Sequence, residues 1–353
     1  MVARRTRAGW TVATAASLAV AVPVAIGNGA LASPLDTPDD SSPNDISPTS
    51  ELSTNDLPAH AITGYWHNFD NGSTVLRLSD VPSEYDIVAV AFADEVAHPP
   101  GAVEFNLDSD LTDQLGYTDD DFKDDIAALQ ANGQKVIISV GGEVGNVIID
   151  TQQKGLNFAA SILDLIDEYG FDGVDIDLEH GIHAGPLETG MRAIADQVGD
   201  SLIYTMAPQT IDMQNTQSQY FQLALNTQDI LTIVNMQYYN SGTMLGCDNQ
   251  VYAQGSVDFL TSLACIQLEA GLDASQVGLG VPATPNAAGG GYVPANVVTD
   301  ALDCLAKGEN CGAFTPSQTY PDIRGAMTWS VNWDATNGYQ FANTVGSHLD
   351  GFP

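Results

Sequence analysis

Three carboxylates in the stretch 171–180 are spaced for chemistry. Asp175, Asp177 and Glu179 alternate with apolar residues, which is the two-residue period of a β-strand. They therefore share one face, and their backbones step by about 6.6 Å along it, so neighbouring carboxyl groups can touch. Three like charges on one face repel each other. The usual resolution is that one of them holds a proton at neutral pH, with pKa values that belong to the coupled set.

A carboxylic acid that burial and neighbours keep protonated is the general acid that cleavage of a glycosidic bond requires. Glu179 is last on the strand and is best placed to reach a substrate, with Asp177 behind it to orient it and Asp175 to hold the shared proton. Two other interpretations are a site for Mg²⁺ or Ca²⁺ and a purely structural acidic strand. We favour the general acid, because the stretch offers no further ligands in a metal-binding spacing.

The rest of the chain divides into three regions. Residues 1–32 have an arginine-rich start, an apolar run and a small-residue cleavage pattern, which predict a secretory signal peptide. Residues 33–58 are rich in Pro, Ser, Thr and Asp, which predicts a disordered acidic leader. Residues 59–353 are predicted to form one catalytic domain, and the product is expected to be secreted and extracellular.

Short β-like runs alternate with amphipathic helical stretches through this domain, which is typical of a parallel α/β fold. Eight strands are predicted, at 62–66, 87–93, 135–141, 173–178, 202–207, 231–237, 277–281 and 325–329. Helices are predicted between them, for example at 119–131, 158–169, 187–198, 257–270 and 295–307. The pattern indicates an α/β fold built as a single (β/α)8 TIM barrel, whose active site lies at the carboxyl ends of the strands.

The acidic strand resembles a known signature. Residues 172–179, Asp-Gly-Val-Asp-Ile-Asp-Leu-Glu, fit the Asp-x-x-Asp-x-Asp-x-Glu pattern of family 18 glycoside hydrolases, the chitinase family. Ser139, Gly141 and Gly142 on the third predicted strand are similar to the second signature of that family. Blocks at the other strand ends resemble the matching strands of the family, so the resemblance extends over 61–352. Residues 237–240, Gln-Tyr-Tyr-Asn, resemble the strand-6 block of its compact bacterial and plant-type branch.

The resemblance implies a role for each of four residues. Glu179 would act as general acid and then as base, and Asp177 would stabilise the positively charged oxazolinium formed from the substrate's own acetamido group. Asp175 would exchange a proton with Asp177, and Tyr239 would donate its hydroxyl to the acetamido carbonyl. Such substrate-assisted chemistry differs from that of most glycosidases, in which two carboxylates of the enzyme act on the glycosidic bond.

The resemblance also implies a set of sugar contacts at the strand ends. Tyr238 and Asp172 are expected to be structural instead, because each is out of phase with the functional residues on its strand. The predicted substrate-binding residues are Trp329, Tyr65, Gln237, Asn240, Met206 and Gln209.

The chain is strongly acidic, with 45 Asp and Glu against 10 Lys and Arg and a net charge of −35. That sign excludes nucleic acid and anionic membranes as natural partners. Because the acids are spread along the whole domain and a neutral glycan needs no charge to attract it, we hypothesise a halophilic source. Self-repulsion would then be relieved by molar salt.

Four cysteines in a secreted chain predict two disulfides, for which three pairings are possible. Neighbours in the sequence favour Cys247–Cys265 and Cys304–Cys311. No zinc-like spacing is present, and no metal or cofactor is expected.

These patterns and the resemblance together predict a secreted, retaining, endo-acting chitinase that hydrolyses β-1,4 linkages of chitin and N-acetylglucosamine oligomers as a monomer. Two alternatives stay open. An endo-β-N-acetylglucosaminidase that cuts N-glycan cores would use the same acidic strand, and a non-catalytic chitin-binding lectin would use the same barrel.

Overall fold

The computed structural model describes residues 57–352. The predicted signal peptide at 1–32 and almost all of the predicted leader at 33–58 lie outside the described residues, so both stay predictions. None of the helices between residues 57 and 352 is long and apolar enough to cross a membrane.

Eight parallel strands close into a barrel. The strands in chain order are β1 (Ala61–His67), β2 (Ile87–Glu95), β3 (Val103–Glu104), β4 (Lys135–Gly142), β5 (Gly173–Leu178), β6 (Ile203–Met206), β7 (Ile233–Gln237), β8 (Thr243–Leu245), β9 (Val251–Ala253), β10 (Val277–Pro282) and β11 (Gly325–Trp329). All but β3, β8 and β9 form the barrel, in the ring order β1, β2, β4, β5, β6, β7, β10, β11. Because β1 pairs with both β2 and β11, the ring is closed, and the predicted single (β/α)8 barrel is confirmed.

Helices surround this ring. They are α1 (Ser109–Leu115), α2 (Asp119–Ala131), α3 (Gln152–Tyr169), α4 (Ala184–Val198), α5 (Gln219–Asn226), α6 (Val257–Glu269), α7 (Ala295–Lys307), α8 (Val331–Thr336) and α9 (Gln340–Leu349). Local sequence explains their ends. The Thr118 hydroxyl accepts from the Asp121 N–H at 3.2 Å, and the Asp121 carboxylate accepts from the Thr118 N–H at 3.1 Å, so α2 begins at a capping box. Helix α3 ends at Gly170, whose φ of 78° is left-handed.

The two-residue period of β5 divides its side chains between two environments. Val174 and Ile176 are fully buried in the layer between the barrel and the helices. Asp175 and Asp177 point into the barrel, where a second apolar cluster fills the interior below them. Burying a Val or Ile side chain stabilises the fold by about 1.5–3 kcal/mol, and a slip of one residue would exchange the two faces. The outer core therefore fixes the register that aims the carboxylates inward.

The structure adds elements that the sequence patterns did not predict. Strand β3 pairs with β2 over two residues, and β8 and β9 form an antiparallel hairpin of three residues each. Strands this short carry too few residues for a recognisable period. Helices α1, α5, α8 and α9 were also not predicted, and each is 10 residues or shorter.

Both predicted disulfides are confirmed. Cys247, just after β8, is bonded to Cys265 in α6, so this bond ties the hairpin to the helix layer. Cys304 in α7 is bonded to Cys311, which closes the turn after that helix.

The remaining predicted strand and helix positions agree with the structure to within a few residues, apart from α3, which begins six residues earlier than predicted.

Asp86 is a half-buried carboxylate just before the amino end of β2, far from the carboxyl ends of the strands. Its Oδ2 atom accepts a 2.7 Å hydrogen bond from the backbone N–H of Ile62. Burial raises its pKa from 3.8 to about 6, and the negative charge of Asp350 raises it further. The folded protein therefore holds this proton more tightly than the unfolded chain does, so this group's stabilising contribution is full below about pH 4 and is lost as the pH rises through about 6.

We expect Asp86→Asn to stabilise the protein at pH 7.5 and to leave its stability unchanged at pH 4. The neutral amide can still accept from the Ile62 N–H, and it removes a charge that burial disfavours. Removing that charge stabilises the fold by at most about 3 kcal/mol, because the pKa of Asp86 is raised from 3.8 to about 6. Thermal denaturation at the two pH values measures the effect. The exposed Asp322→Asn on the loop before β11 is the control, and an equal Tm gain at both pH values would contradict this explanation.

Candidate active site

A large cavity opens at the carboxyl ends of the barrel strands. Its volume is about 1210 Å³, which exceeds the roughly 300–1,000 Å³ of a typical small-molecule pocket. Every barrel strand or the loop after it contributes to the lining, through Asn68, Asp94, Gly141, Glu179, Gln209, Tyr239, Ala287 and Trp329 among others. The cavity therefore has room for more than one sugar ring.

The three carboxylates of the acidic strand lie at increasing height in this cavity. Asp175 is completely buried, Asp177 is 4% exposed and lines the floor, and Glu179 stands at the mouth. The sequence predicted that they share one face. The structure shows that this face points into the barrel, with Glu179 at the end nearest solvent.

Asp175 is held by three hydroxyl groups. Its Oδ1 accepts from Thr205 at 2.6 Å, and its Oδ2 accepts from Tyr65 and from Ser139, both at 2.7 Å. Burial raises the pKa of Asp175, and these three hydrogen bonds oppose the rise because they favour the charged form. A carboxylate that accepts three O–H donors is best satisfied when it is ionised.

Asp177 is in the opposite situation. Burial raises its pKa well above the usual value, and the charges of Asp175 and Glu179 raise it further, while one hydrogen bond from Gln237 at 2.8 Å opposes this. The two aspartates form a coupled pair, so their protons belong to the pair. The arrangement favours one proton on Asp177 beside an ionised Asp175.

Two amide side chains hold Glu179. Gln237 Nε2 donates to Glu179 Oε1 and Gln209 Nε2 donates to Oε2, both at 3.1 Å. Gln237 Nε2 also donates to the carbonyl of Ala207 at 3.0 Å, which fixes its amide in the barrel. Both glutamines were predicted to bind substrate. They line the cavity, and in this structure both donate hydrogen bonds to the carboxylate of Glu179.

Aromatic side chains form one wall of the cavity. Trp329 lies against Phe92 with ring centroids 5.8 Å apart and against His67 at 4.7 Å. Tyr239 lines the cavity, and burial together with nearby carboxylates raises its pKa well above the usual value, so its hydroxyl stays a hydrogen-bond donor. Asn240 is exposed at the rim, where its side-chain oxygen accepts from the Gly290 N–H at 3.1 Å.

The structure corrects two of the predicted sugar contacts. Tyr65 is 1% exposed and lies beneath the cavity, where its hydroxyl is used by Asp175. Met206 is fully buried in the outer core, because Thr205 beside it points inward and successive strand residues face opposite ways. Neither side chain reaches the cavity.

Other expectations from the sequence agree with the structure. Tyr238 is buried in the outer core and accepts a hydrogen bond from Gln267 at 3.2 Å. Asp172 accepts from the backbone N–H of Val136 at 2.7 Å and is structural. Gly141, at φ 114°, lies so close to the backbone carbonyl of Asp177 that any Cβ would clash with it. Small residues on β4 therefore make room for the acidic strand.

Sequence reasoning missed many of the cavity residues, and three of them lie near strand ends. Phe69 follows β1, and Phe92 and Asp94 lie in β2, and all three line the cavity. Their position near strand ends was a signal that could have found them, since the strand boundaries were predicted correctly. Phe69 stacks on His67 at 4.6 Å, so the aromatic wall is longer than Trp329 alone would make it.

One group of side chains within residues 57–352 has the spacing of metal ligands but not their chemistry. Within residues 57–352, the group with metal-like spacing is Cys247, Cys265 and Glu269, away from the acidic strand. The two sulfurs are joined in a disulfide, so neither is a free thiolate ligand.

Comparison with known proteins identifies the family to which the chain is similar. The family model described as glycosyl hydrolases family 18 matches residues 61–349. The chain is 35% identical over 343 residues to Chitinase Chi52 of Paenibacillus xylanexedens, which covers 86% of this chain and 64% of the relative. It is 34% identical to Chitinase D of Niallia circulans, with the same 86% and 64% coverage. The chain thus spans less than two thirds of the length of these relatives.

The solved structures include a provisionally assigned Chitinase A of Streptomyces coelicolor, which is 62% identical and superimposes with a TM-score of 0.81. That match covers 83% of this chain and 99% of the other. The family model spans the whole barrel, including the acidic strand and every strand end that lines the cavity. The chain belongs to glycosyl hydrolase family 18.

Proposed function

We propose that the protein is a chitinase that hydrolyses β-1,4-linked N-acetylglucosamine polymers with retention. The observation that carries the proposal is the column of Asp175, Asp177 and Glu179, which rises through the barrel and ends at the mouth of a cavity of about 1210 Å³. The relatives that bear the name chitinase support the choice of substrate.

The chemistry proceeds through the substrate's own acetamido group. A glycosidic oxygen at the mouth takes a proton from the Glu179 carboxyl group as the acetamido oxygen attacks the anomeric carbon, and the leaving sugar departs. The resulting oxazolinium ring carries a positive charge. Glu179, now a carboxylate, takes a proton from water, and the hydroxyl group opens the ring with overall retention.

The surrounding residues prepare these steps. Asp177 lies beneath the site of the acetamido group. As the positive charge develops, Asp177 passes its proton to the ionised Asp175 behind it, and the Asp177 carboxylate accepts the acetamido N–H. Tyr239 offers a protonated hydroxyl to the acetamido carbonyl. Trp329 presents an apolar ring to the apolar face of the sugar. Gln209 and Gln237 keep Glu179 aimed at the scissile bond.

We further propose endo cleavage, secretion and action as a monomer. A cavity with room for several sugars suits an internal segment of a polymer. Two disulfides suit an oxidising compartment outside the cytoplasm. The pattern in residues 1–32 predicts the export itself.

We expect Glu179→Gln to lose activity on colloidal chitin by about 10²–10⁴-fold, because general acid–base catalysis contributes on that order. The amide keeps the shape of the side chain and cannot give up a proton. Mass spectrometry of the products, with the unaltered protein releasing short N-acetylglucosamine oligomers, measures the effect.

The same assay run on an N-glycoprotein separates the alternatives. Release of intact N-glycans with no chitin products would move the function to an endo-β-N-acetylglucosaminidase. Binding of chitin without products from either substrate would indicate a lectin. Circular dichroism of Glu179→Gln is the control for folding.

Removing one hydroxyl donor from Asp175 should move the pH profile. In Ser139→Ala, Asp175 loses a hydrogen bond that lowers its pKa, so its pKa rises and it stays protonated to higher pH. If catalysis needs Asp175 ionised, the acidic limb of kcat/KM shifts to higher pH. Thr205→Val should act in the same direction through the other oxygen. An acidic limb that stays in place in both variants would contradict the assignment of Asp175 as the ionised partner.

The charge distribution supports a halophilic source. The Lys and Arg residues within 57–352 are already engaged: Lys123, Lys135, Lys154, Arg192 and Lys307 pair with acids, and Arg77 and Arg324 donate to backbone carbonyls. The large excess of acids must therefore be balanced by dissolved cations.

We expect Tm and chitinase activity both to rise between about 0.05 and 2 M NaCl, because the Debye length falls to about 3 Å at 1 M and repulsion between carboxylates is screened. Differential scanning fluorimetry and product assays across the salt series measure this. Loss of activity in molar NaCl, with a fully folded protein in dilute buffer, would refute the halophilic interpretation.

A further inference from the structure

Two aliphatic side chains stand exposed inside the cavity. Val144 is 91% exposed and Ile211 is 57% exposed, and both line the cavity that contains Glu179. A single exposed aliphatic residue is common on any protein surface. Two in one substrate-sized cavity, neither of them held by core packing, need a different explanation.

Their positions in the ring place them beyond the acid. Strands β5 and β11 are four places apart in either direction in the ring of eight, so Glu179 and Trp329 approach the cavity from opposite sides. Val144 follows β4 and Ile211 follows β6, the two neighbours of β5. The pair therefore flanks Glu179 on the side of the barrel opposite Trp329.

The aromatic residues lie on the other half. Phe69 follows β1, Phe92 is in β2 and Trp329 ends β11, which are adjacent strands in the ring. Their ring centroids are 5.8–6.5 Å apart, so they form one continuous wall. We call the side of the cavity with these three rings the aromatic half. The other side, where Val144 and Ile211 stand among polar residues such as Glu143 and Thr210, is called the aliphatic half, and Glu179 lies at its boundary.

We propose that Val144 and Ile211 form the binding site for the leaving sugar, an inference that rests on the proposed function. The sugar that reacts stacks on Trp329, and Glu179 protonates the oxygen on its far side. The next sugar of the chain must then lie beyond Glu179, over the loops that follow β4 and β6. Its apolar face meets the two aliphatic side chains there.

The difference between the two halves sets the position of the cut. Aromatic rings bury more area against a pyranose than a Val and an Ile side chain do. The aromatic half therefore holds the sugar chain more tightly than the aliphatic half does. The ligand class for the aliphatic half is a neutral β-linked pyranose with an exposed apolar face. Weaker contacts there also favour rapid departure of the leaving fragment.

The test uses the double variant Val144→Ser with Ile211→Ser. Three quantities are measured: kcat/KM for the N-acetylglucosamine hexamer, the position of the cut in a hexamer labelled at its reducing end, and the inhibition constant of a disaccharide thiazoline that mimics the oxazolinium. The thiazoline occupies only the aromatic half, which holds the sugars on the non-reducing side of the cut. Val251→Ser, whose side chain is 65% exposed on β9 outside the cavity lining, is the matched control.

We expect the double variant to lose about tenfold in kcat/KM for the hexamer, since each side chain contributes a modest apolar contact. The cut should move toward the labelled end, because the chain then relies more on the aromatic half. Inhibition by the thiazoline and the behaviour of Val251→Ser should match the unaltered protein.

Unchanged hexamer kinetics and an unchanged cut position would overturn the proposal. An equal loss of thiazoline affinity would also overturn it, because the two side chains would then act on the whole site. If the unaltered protein binds the thiazoline but cleaves no chitin oligomer, the proposed function fails, and this inference fails with it.

Discussion

The structure depends on keeping three carboxylates in one column inside a barrel. Burial penalises each charge, and neighbouring charges repel one another. Asp175 is stabilised by hydroxyl groups from three different strands, and the pKa of Asp177 is raised so that it holds the remaining proton. Two amides then orient Glu179 at the mouth. Under the proposed function, the same repulsion that destabilises the ionised carboxylates keeps a proton available next to the substrate.

That arrangement requires a rigid surrounding. The register of β5 is fixed from outside, where Val174 and Ile176 pack against the helices, and a one-residue slip would turn the carboxylates away from the cavity. From inside, Gly141 lets β4 approach the acidic strand closely enough for Ser139 to reach Asp175. The closed ring of eight strands brings hydroxyl donors from β1, β4 and β6 onto one carboxylate, which no open local motif could do.

Different kinds of side chain line opposite sides of the cavity above the three carboxylates. Aromatic rings follow β11, β1 and β2, and exposed aliphatic residues follow β4 and β6. Glu179 lies at the boundary of the aliphatic half, because the strand that carries it is opposite the strand that ends in Trp329. Under the proposed function, binding strength on the two sides of the scissile bond can then be set by different loops on the same barrel. The excess of acidic residues is a separate matter, because dissolved salt screens the repulsion between them.

The sequence by itself determined the eight strands, the faces of β5 and the identity of the acidic residues, and it favoured the disulfide pairing that the structure shows. Each of these follows from local period, from a short motif or from proximity along the chain. Only the tertiary structure decided that Tyr65 serves Asp175 from beneath the cavity and that Gln209 holds Glu179. Met206 was misjudged because proximity to a strand end says nothing about which face a side chain takes. Contacts between residues 30 to 110 positions apart depend on how the ring closes, and no local pattern encodes that closure.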